Sequence, residues 1–189
     1  MIKIGILGDI GSGKSYVAQN FGYPVFNADQ EVAKLYQKNK NVFNNLKKNL
    51  PKYIHSFPVQ KKEISNAILS NNNNLTKIIK IVHLEIRKKM NIFLEKHKDK
   101  RIIILDIPLL LENKINKKND ILVYVQSKKS TILKRLKKRK NYNQKLLKQF
   151  KIIQYSAEYK KKKSHFIIKN NFTKKSVNDD IKNILKEIK

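Results

Sequence analysis

Short aliphatic runs alternate with longer stretches of helical period along this chain. Residues 1–7 carry Ile2, Ile4, Ile6 and Leu7 and stop at Gly8, which predicts a buried strand. Residues 14–21 predict the helix that follows. Residues 24–26 predict a second short strand ending at Asn27-Ala28-Asp29. From 31 to about 50 the pattern is helical, with a break before Pro51. Residues 59–97 read as helical throughout. One stripe there is Ile64, Ile68 and Leu69. Another is Ile78, Ile79, Val82, Ile86, Met90 and Phe93, at spacings of three and four. Residues 71–74 read as the loop between them, with Asn74 or Thr76 near a cap. Residues 101–105 and 121–125 predict two further buried strands, the first ending at Asp106. Residues 130–139 and 144–163 predict helices, 166–168 a last short strand and 176–188 a last helix.

Strands alternating with helices imply an α/β fold, a doubly wound parallel sheet of about five strands with helices on both faces. The long helical stretch between the second and third strands is the expected insertion. At 189 residues the chain suits one domain with such an inserted subdomain.

Composition removes some function classes. Without cysteine there is neither a disulfide nor a thiolate zinc site. No apolar run approaches the roughly 20 residues that span a bilayer, and Asp9 and the glycines interrupt the short apolar start. A cytoplasmic location is the expectation, with no membrane partner. The formal net charge is +29. An anionic partner is one reading of it. A coding bias toward Lys, Asn and Ile is the preferred one, because the lysines are spread over the whole chain. The densest run, Lys160-Lys161-Lys162-Lys163, reads as a solvated helix end.

That bias makes other residues informative. Of 43 Lys plus Arg, only Arg87, Arg101, Arg135 and Arg139 are Arg. All five glycines lie at or before Gly22, where a backbone turns tightly and approaches a ligand.

Gly8-Asp9-Ile10-Gly11-Ser12-Gly13-Lys14-Ser15 has the spelling of a mononucleotide-binding loop, set between a predicted strand and a predicted helix. Backbone N–H groups and a helix N-terminus surround phosphate there. Lys14 reaches the β- and γ-phosphates and the Ser15 hydroxyl meets Mg²⁺. Asp9 puts a carboxylate inside an anion-binding loop. Asp106, at the end of a buried strand, suits the Mg²⁺ shell opposite Ser15, or a capping role. Asp29, just past the second strand, suits a base for an attacking hydroxyl, or a helix N-cap. Arg135 and Arg139, four apart on one predicted helix, suggest a bidentate phosphate clamp. His83 and Arg87 repeat that spacing on the inserted helix, as an acceptor pocket or as half-buried structure.

These pieces in this order resemble the dephospho-coenzyme A kinase family over nearly the whole chain. The family's loop is Gly8 to Lys14 here, and its Asp-Ala-Asp is Asn27-Ala28-Asp29. Its Ile-His-Pro-x-x-Arg segment is Val82-His83-Leu84-Glu85-Ile86-Arg87. Its most specific signature is Asp106-Ile107-Pro108-Leu109-Leu110-Leu111-Glu112. An Arg-Leu-x-x-Arg helix matches Arg135 and Arg139, and Gln154 and Asn170 match a Gln and an Asn around the last strand. The resemblance implies a P-loop kinase fold with a helical acceptor-binding subdomain and a helical lid. It implies ATP and Mg²⁺, with ATP and dephospho-coenzyme A as partners and the ribose 3′-hydroxyl as acceptor.

Under the same resemblance, residues 1–50, 99–135 and 164–189 form the nucleotide-binding core, 51–98 the acceptor subdomain and 136–163 the lid. The nucleotide-binding candidates are Gly8, Asp9, Ile10, Gly11, Ser12, Gly13, Lys14, Ser15 and Tyr16, with Arg139 and Asn170. Asp29, Lys14 and Arg135 become catalytic candidates. Asp29, Lys61, His83, Arg87, Pro108, Leu109 and Glu112 become acceptor-side candidates, and Ser15 and Asp106 metal ligands. A monomer or small homo-oligomer is expected, with no specific nucleic acid.

The departures are Asn27 for the first Asp, Leu84 for Pro, Lys61 and Phe150 where Arg is usual, and His165 where an Asp precedes the last strand. Each lost Arg costs something like 1–3 kcal/mol of substrate contact, a typical value for a charged hydrogen bond. The competing readings are a related nucleoside or nucleotide kinase with another acceptor, and a basic nucleotide- or nucleic-acid-binding protein without turnover. No RNA-binding signature supports the last.

Overall fold

The computed structural model describes residues 1–188; Lys189, the last residue of the expected core, lies outside the described residues. The chain forms two compact units, one of residues 1–27, 97–142 and 154 onward, the other of 28–96 and 143–153.

The first unit is built on a parallel sheet. Its strands are β1 (Ile2–Gly8), β2 (Val25–Asn27), β3 (Ile102–Asp106), β4 (Ile121–Gln126) and β5 (Phe166–Lys169), in the spatial order β2-β3-β1-β4-β5. β3 is aliphatic on four consecutive positions and buried throughout, because both faces of the sheet are covered. On one face, Ile4, Ile6, Ile102, Ile104, Val123, Val125 and Ile168 pack with α1 (Lys14–Asn20) and the helix over Lys174–Glu187. On the other, a side chain at Gly5 would meet Leu110 and Leu122. Tyr124 on that face senses the charge of Glu158.

The second unit is helical. α2 (Ala28–Lys38) and α3 (Lys40–Asn49) pack on α5 (Asn72–Lys96), and so does α4 (Lys61–Ser70). Residues 28–50, expected with the sheet, therefore group with the helices. The first unit also holds α6 (Lys129–Lys137). α7 (Gln144–Ile152) lies against α4. α8 (Ala157–Lys163) and α9 (Lys174–Glu187) return to the sheet unit.

Three helix boundaries differ from the periodicity. The stretch 31–50 breaks at Asn39, whose side chain accepts the Val42 N–H at 2.9 Å and starts α3. Only Asn71, not 71–74, separates α4 from α5. Asn71 Oδ1 takes the Asn73 N–H at 2.8 Å, and buried Asn74 donates to the Ala67 carbonyl at 2.8 Å. The stretch 144–163 is two helices, because Ser156 caps α8 through the Tyr159 N–H at 3.1 Å.

Candidate active site

The loop 8–15 leaves the carboxyl end of central strand β1 and enters α1, the ligand-binding position in a parallel α/β sheet. Gly13 is the N-cap of α1 at φ 92°, and a Cβ there would collide with the Asn170 amide. Gly11, at φ 87°, lies beneath Leu136 and Ile132 of α6, about 3 Å from where a Cβ would sit. Only glycine meets both demands, a left-handed backbone and no side chain.

The loop is braced from two strands. The Ser12 carbonyl accepts Asn170 Nδ2 at 2.8 Å and Ser127 Oγ at 2.9 Å. Asn170 is 2% exposed, and its Oδ1 takes the Phe172 N–H at 2.8 Å. Phe172 holds a left-handed backbone, φ 66°, and its ring lies 4.1 Å from the Arg135 guanidinium carbon. A path of contacts thus joins loop backbone, Asn170, Phe172 and Arg135. Sequence reading found Asn170 and Arg135 but missed Ser127 and Phe172.

Lys14 Nζ donates to the Gly8 carbonyl at 3.1 Å and the Asp9 carbonyl at 2.9 Å. Asp9 also takes the Ser12 N–H on its carbonyl at 3.1 Å. Its carboxylate acts on Tyr124. Burial first, then the charges of Asp9 and Glu158, push that phenol up to about 12. Ile10 is half-buried and Tyr16 is exposed.

Asp106 is the register partner of Asn27 across β2 and β3. Side chains at paired positions share a face, and Asn27 Nδ2 donates to Asp106 Oδ2 at 2.7 Å. The Ser15 hydroxyl also hydrogen-bonds Asp106. Burial holds the Asp106 carboxyl above the ordinary carboxylate range, opposed by the Ser15 hydrogen bond and the Lys14 charge. Asn27, read from sequence as a lost carboxylate, supports Asp106 instead. A hydroxyl and a carboxylate brought together beside a phosphate loop are hard-oxygen donors of the kind Mg²⁺ prefers, so the pair fits that ion.

After β3 the chain turns sharply through Pro108. Leu109 has φ 59°, a strained conformation for a branched side chain. Its carbonyl is held by the Asn113 N–H at 3.0 Å and Asn113 Nδ2 at 2.9 Å. Glu112 Oε1 accepts the Tyr155 N–H at 2.9 Å and lies 3.5 Å from Lys160 Nζ. Lys160, read as part of a solvated run, is 4% exposed. Arg135 is on α6, but Arg139 is beyond its end, its N–H on the Leu136 carbonyl at 3.0 Å. Both are exposed, and they do not share a continuous helical face. His165 accepts the Leu122 N–H at Nδ1, 2.9 Å, and its backbone N–H donates to the Leu122 carbonyl at 2.8 Å. The ring thereby supplies an acceptor where the resemblance leads one to expect an Asp.

The helical unit carries the other candidates. Asp29 is exposed in the first turn of α2, and Lys61 is exposed at the start of α4. His83 and Arg87 are neighbours on α5. Burial first, then the Arg87 charge, hold the His83 imidazole below its ordinary value. Phe150 is half-buried on α7 and Leu84 is 67% exposed.

The dephospho-CoA kinase family model matches residues 2–176. The chain belongs to the dephospho-CoA kinase family. A dephospho-CoA kinase of Wolbachia pipientis wMel is 33% identical over 187 residues, covering 96% of this chain and 95% of that one. The crystal structure of TT1252 from Thermus thermophilus superposes with a TM-score of 0.78 at 24% identity, covering 100% of this chain and 98% of that one. Dephospho-CoA kinase from Campylobacter jejuni gives 0.60 at 20% identity, over 98% and 96%. These two likenesses show the fold, a parallel sheet with flanking helices. As a family member the chain is an ATP-dependent kinase. Among the described residues no helix is long and apolar enough to cross a membrane.

Proposed function

We propose that the chain transfers the γ-phosphoryl group of ATP to the ribose 3′-hydroxyl of dephospho-CoA, giving coenzyme A and ADP. The observation that carries this is the meeting of Lys14 and Ser15, from the glycine loop, with Asp106 at the end of β3, in a chain of this family.

The chemistry follows from charge. The acceptor oxygen forms a bond to phosphorus while the bond to the ADP oxygen breaks, and negative charge gathers on the oxygens between. In this reading loop N–H groups and Lys14 stabilise that charge. To reach the phosphates, Lys14 exchanges its two carbonyl partners for phosphate oxygens. Arg135, steadied on Phe172, adds a bidentate donor, and Arg139 a second cation. Asp29 accepts the proton of the acceptor hydroxyl. Ser15 and Asp106 hold Mg²⁺, which when bound neutralises phosphate charge. Lys61, His83 and Arg87 serve the acceptor side, with Pro108 and Leu109. There His83 acts as a neutral hydrogen-bonding ring. Residues 51–98 are the acceptor subdomain, and 136–163 a lid whose closure excludes water. The reaction suits a cytoplasmic protein acting as a monomer or small homo-oligomer.

A coupled ADP-release assay over an acceptor panel tests the proposal. Dephospho-CoA should support the highest kcat/KM among dephospho-CoA, thymidylate and cytidylate. Phosphorylation of either nucleotide without dephospho-CoA would overturn it.

A further inference from the structure

The chain leaves the helical unit for the last time between Ile153 and Gln154. Just past that crossing it is held at two consecutive residues. Glu112 Oε1 takes the Tyr155 N–H at 2.9 Å, and Gln154 Oε1 takes Lys160 Nζ at 3.2 Å. Lys160 also pairs with Glu112 at 3.5 Å, their side chains 5% and 9% exposed. The node therefore contains two desolvated charges, a backbone N–H and a carboxamide.

A buried ion pair is a poor source of net stability, because desolvating both charges offsets their attraction. What it does supply is one geometry. Glu112 belongs to the strained turn that begins at Asp106, where Leu109 is held by Asn113. Within the sheet unit, the node therefore ties residues 154–160 to the turn that follows Asp106.

We propose that Glu112 is a positioning residue for phosphoryl transfer, clamping Tyr155 so that the lid segment returns to the sheet unit at one fixed point. This rests on reading 136–163 as the lid, with 143–153 the part of it that lies outside the sheet unit. With the clamp intact, closure excludes water and each ADP released matches one acceptor phosphorylated. With the clamp loosened, water takes the γ-phosphoryl group instead, and ADP and inorganic phosphate appear without product.

Two variants isolate the clamp. Both Glu112→Ala and Glu112→Gln remove the charge facing Lys160, but only Gln keeps an acceptor for the Tyr155 N–H. Below the melting temperature of each variant, the ratio of ADP to phosphorylated acceptor is measured. The parent and Glu112→Gln should stay near one, while Glu112→Ala rises severalfold. Hydrogen exchange over residues 143–156, with and without a non-hydrolysable ATP analogue, gives a readout independent of the acceptor. The analogue should protect that segment in the parent and in Glu112→Gln, and much less in Glu112→Ala. A folded Glu112→Ala with parental ratio and parental protection overturns the proposal. So does an acceptor KM raised equally in both variants with the ratio unchanged, which makes Glu112 an acceptor ligand. A parent that phosphorylates no dephospho-CoA, yet shows the exchange pattern, overturns the acceptor and leaves the clamp standing.

Discussion

Asp106→Asn separates what the site gains from what the fold loses. Asp106 is 3% exposed, receives Asn27 Nδ2 at 2.7 Å and the Ser15 hydroxyl, and lies in the field of Lys14. Its carboxyl is nonetheless held above the ordinary range, so burial outweighs the Ser15 bond and the Lys14 charge together. The folded chain thus binds this proton more tightly than the unfolded one. The stability linked to that proton is full below the ordinary Asp value of about 4 and is lost as pH rises through the raised one. An amide of the same shape carries no such loss. Replacing a charge-assisted hydrogen bond by a neutral one costs about 1 kcal/mol. Removing the desolvated carboxylate returns more than that, since the effective penalty for a buried ion is several kcal/mol. Asp106→Asn should therefore be the more stable protein at pH 8 by about 1 kcal/mol, or roughly 2–4 °C for a chain of this size. The gap should close toward pH 4.5. Activity should move the other way. On the proposed role of Asp106 in holding Mg²⁺, kcat/KM should fall about 100-fold, or about 2.7 kcal/mol of transition-state stabilisation. Thermal unfolding in chelator from pH 4.5 to 8, beside ADP release in excess Mg²⁺, reads both. A variant that melts below the parent at pH 8, or a gap that does not change with pH, would make Asp106 a structural cap.

Other expectations are as direct. Asp29→Ala should lower kcat by at least about 100-fold, the range for a general base, with ATP affinity by calorimetry within about twofold; parental turnover would exclude Asp29 as the base. Phe172→Leu, which keeps bulk but not the ring face, should raise the KM for ATP a few-fold, as expected for a cation–π contact of about 0.5–1 kcal/mol, and Phe172→Tyr should restore it. Equal kinetics in both would detach Phe172 from Arg135. His83 is held below its ordinary value, so the unfolded chain takes its proton first. Its contribution is present above about pH 6.5 and lost as pH falls through the depressed value. His83→Gln should narrow the difference in melting temperature between pH 7.5 and pH 5, and an unchanged difference would contradict that.

The sheet, its flanking helices and the loop were legible in sequence because they are local. Ile2 to Leu7 and Ile102 to Leu105 announce buried parallel strands, and a chain with five glycines places three of them between Gly8 and Gly13. What was not legible depends on pairings far apart in sequence. The Asn27–Asp106 hydrogen bond needs the register of β2 on β3, 79 residues apart. Without that register, Asn27 is only a missing carboxylate. Phe172 carries no pattern of its own, and its importance comes from Asn170 on one side and Arg135 on the other. The grouping of residues 28–50 with the helices depends on α5, which begins more than twenty residues later. The break before α8 did have a signal, Ser156 ahead of Glu158, but the unbroken period of the flanking residues outweighed it.

The most direct test of the acceptor is product identification. The chain, ATP, Mg²⁺ and dephospho-CoA are incubated, and the product is read by mass spectrometry and phosphorus NMR, with Lys14→Met as control. The expected product is coenzyme A carrying a 3′-phosphomonoester, formed in step with ADP and absent in the control. Unchanged dephospho-CoA, or a phosphate at another hydroxyl, would contradict it.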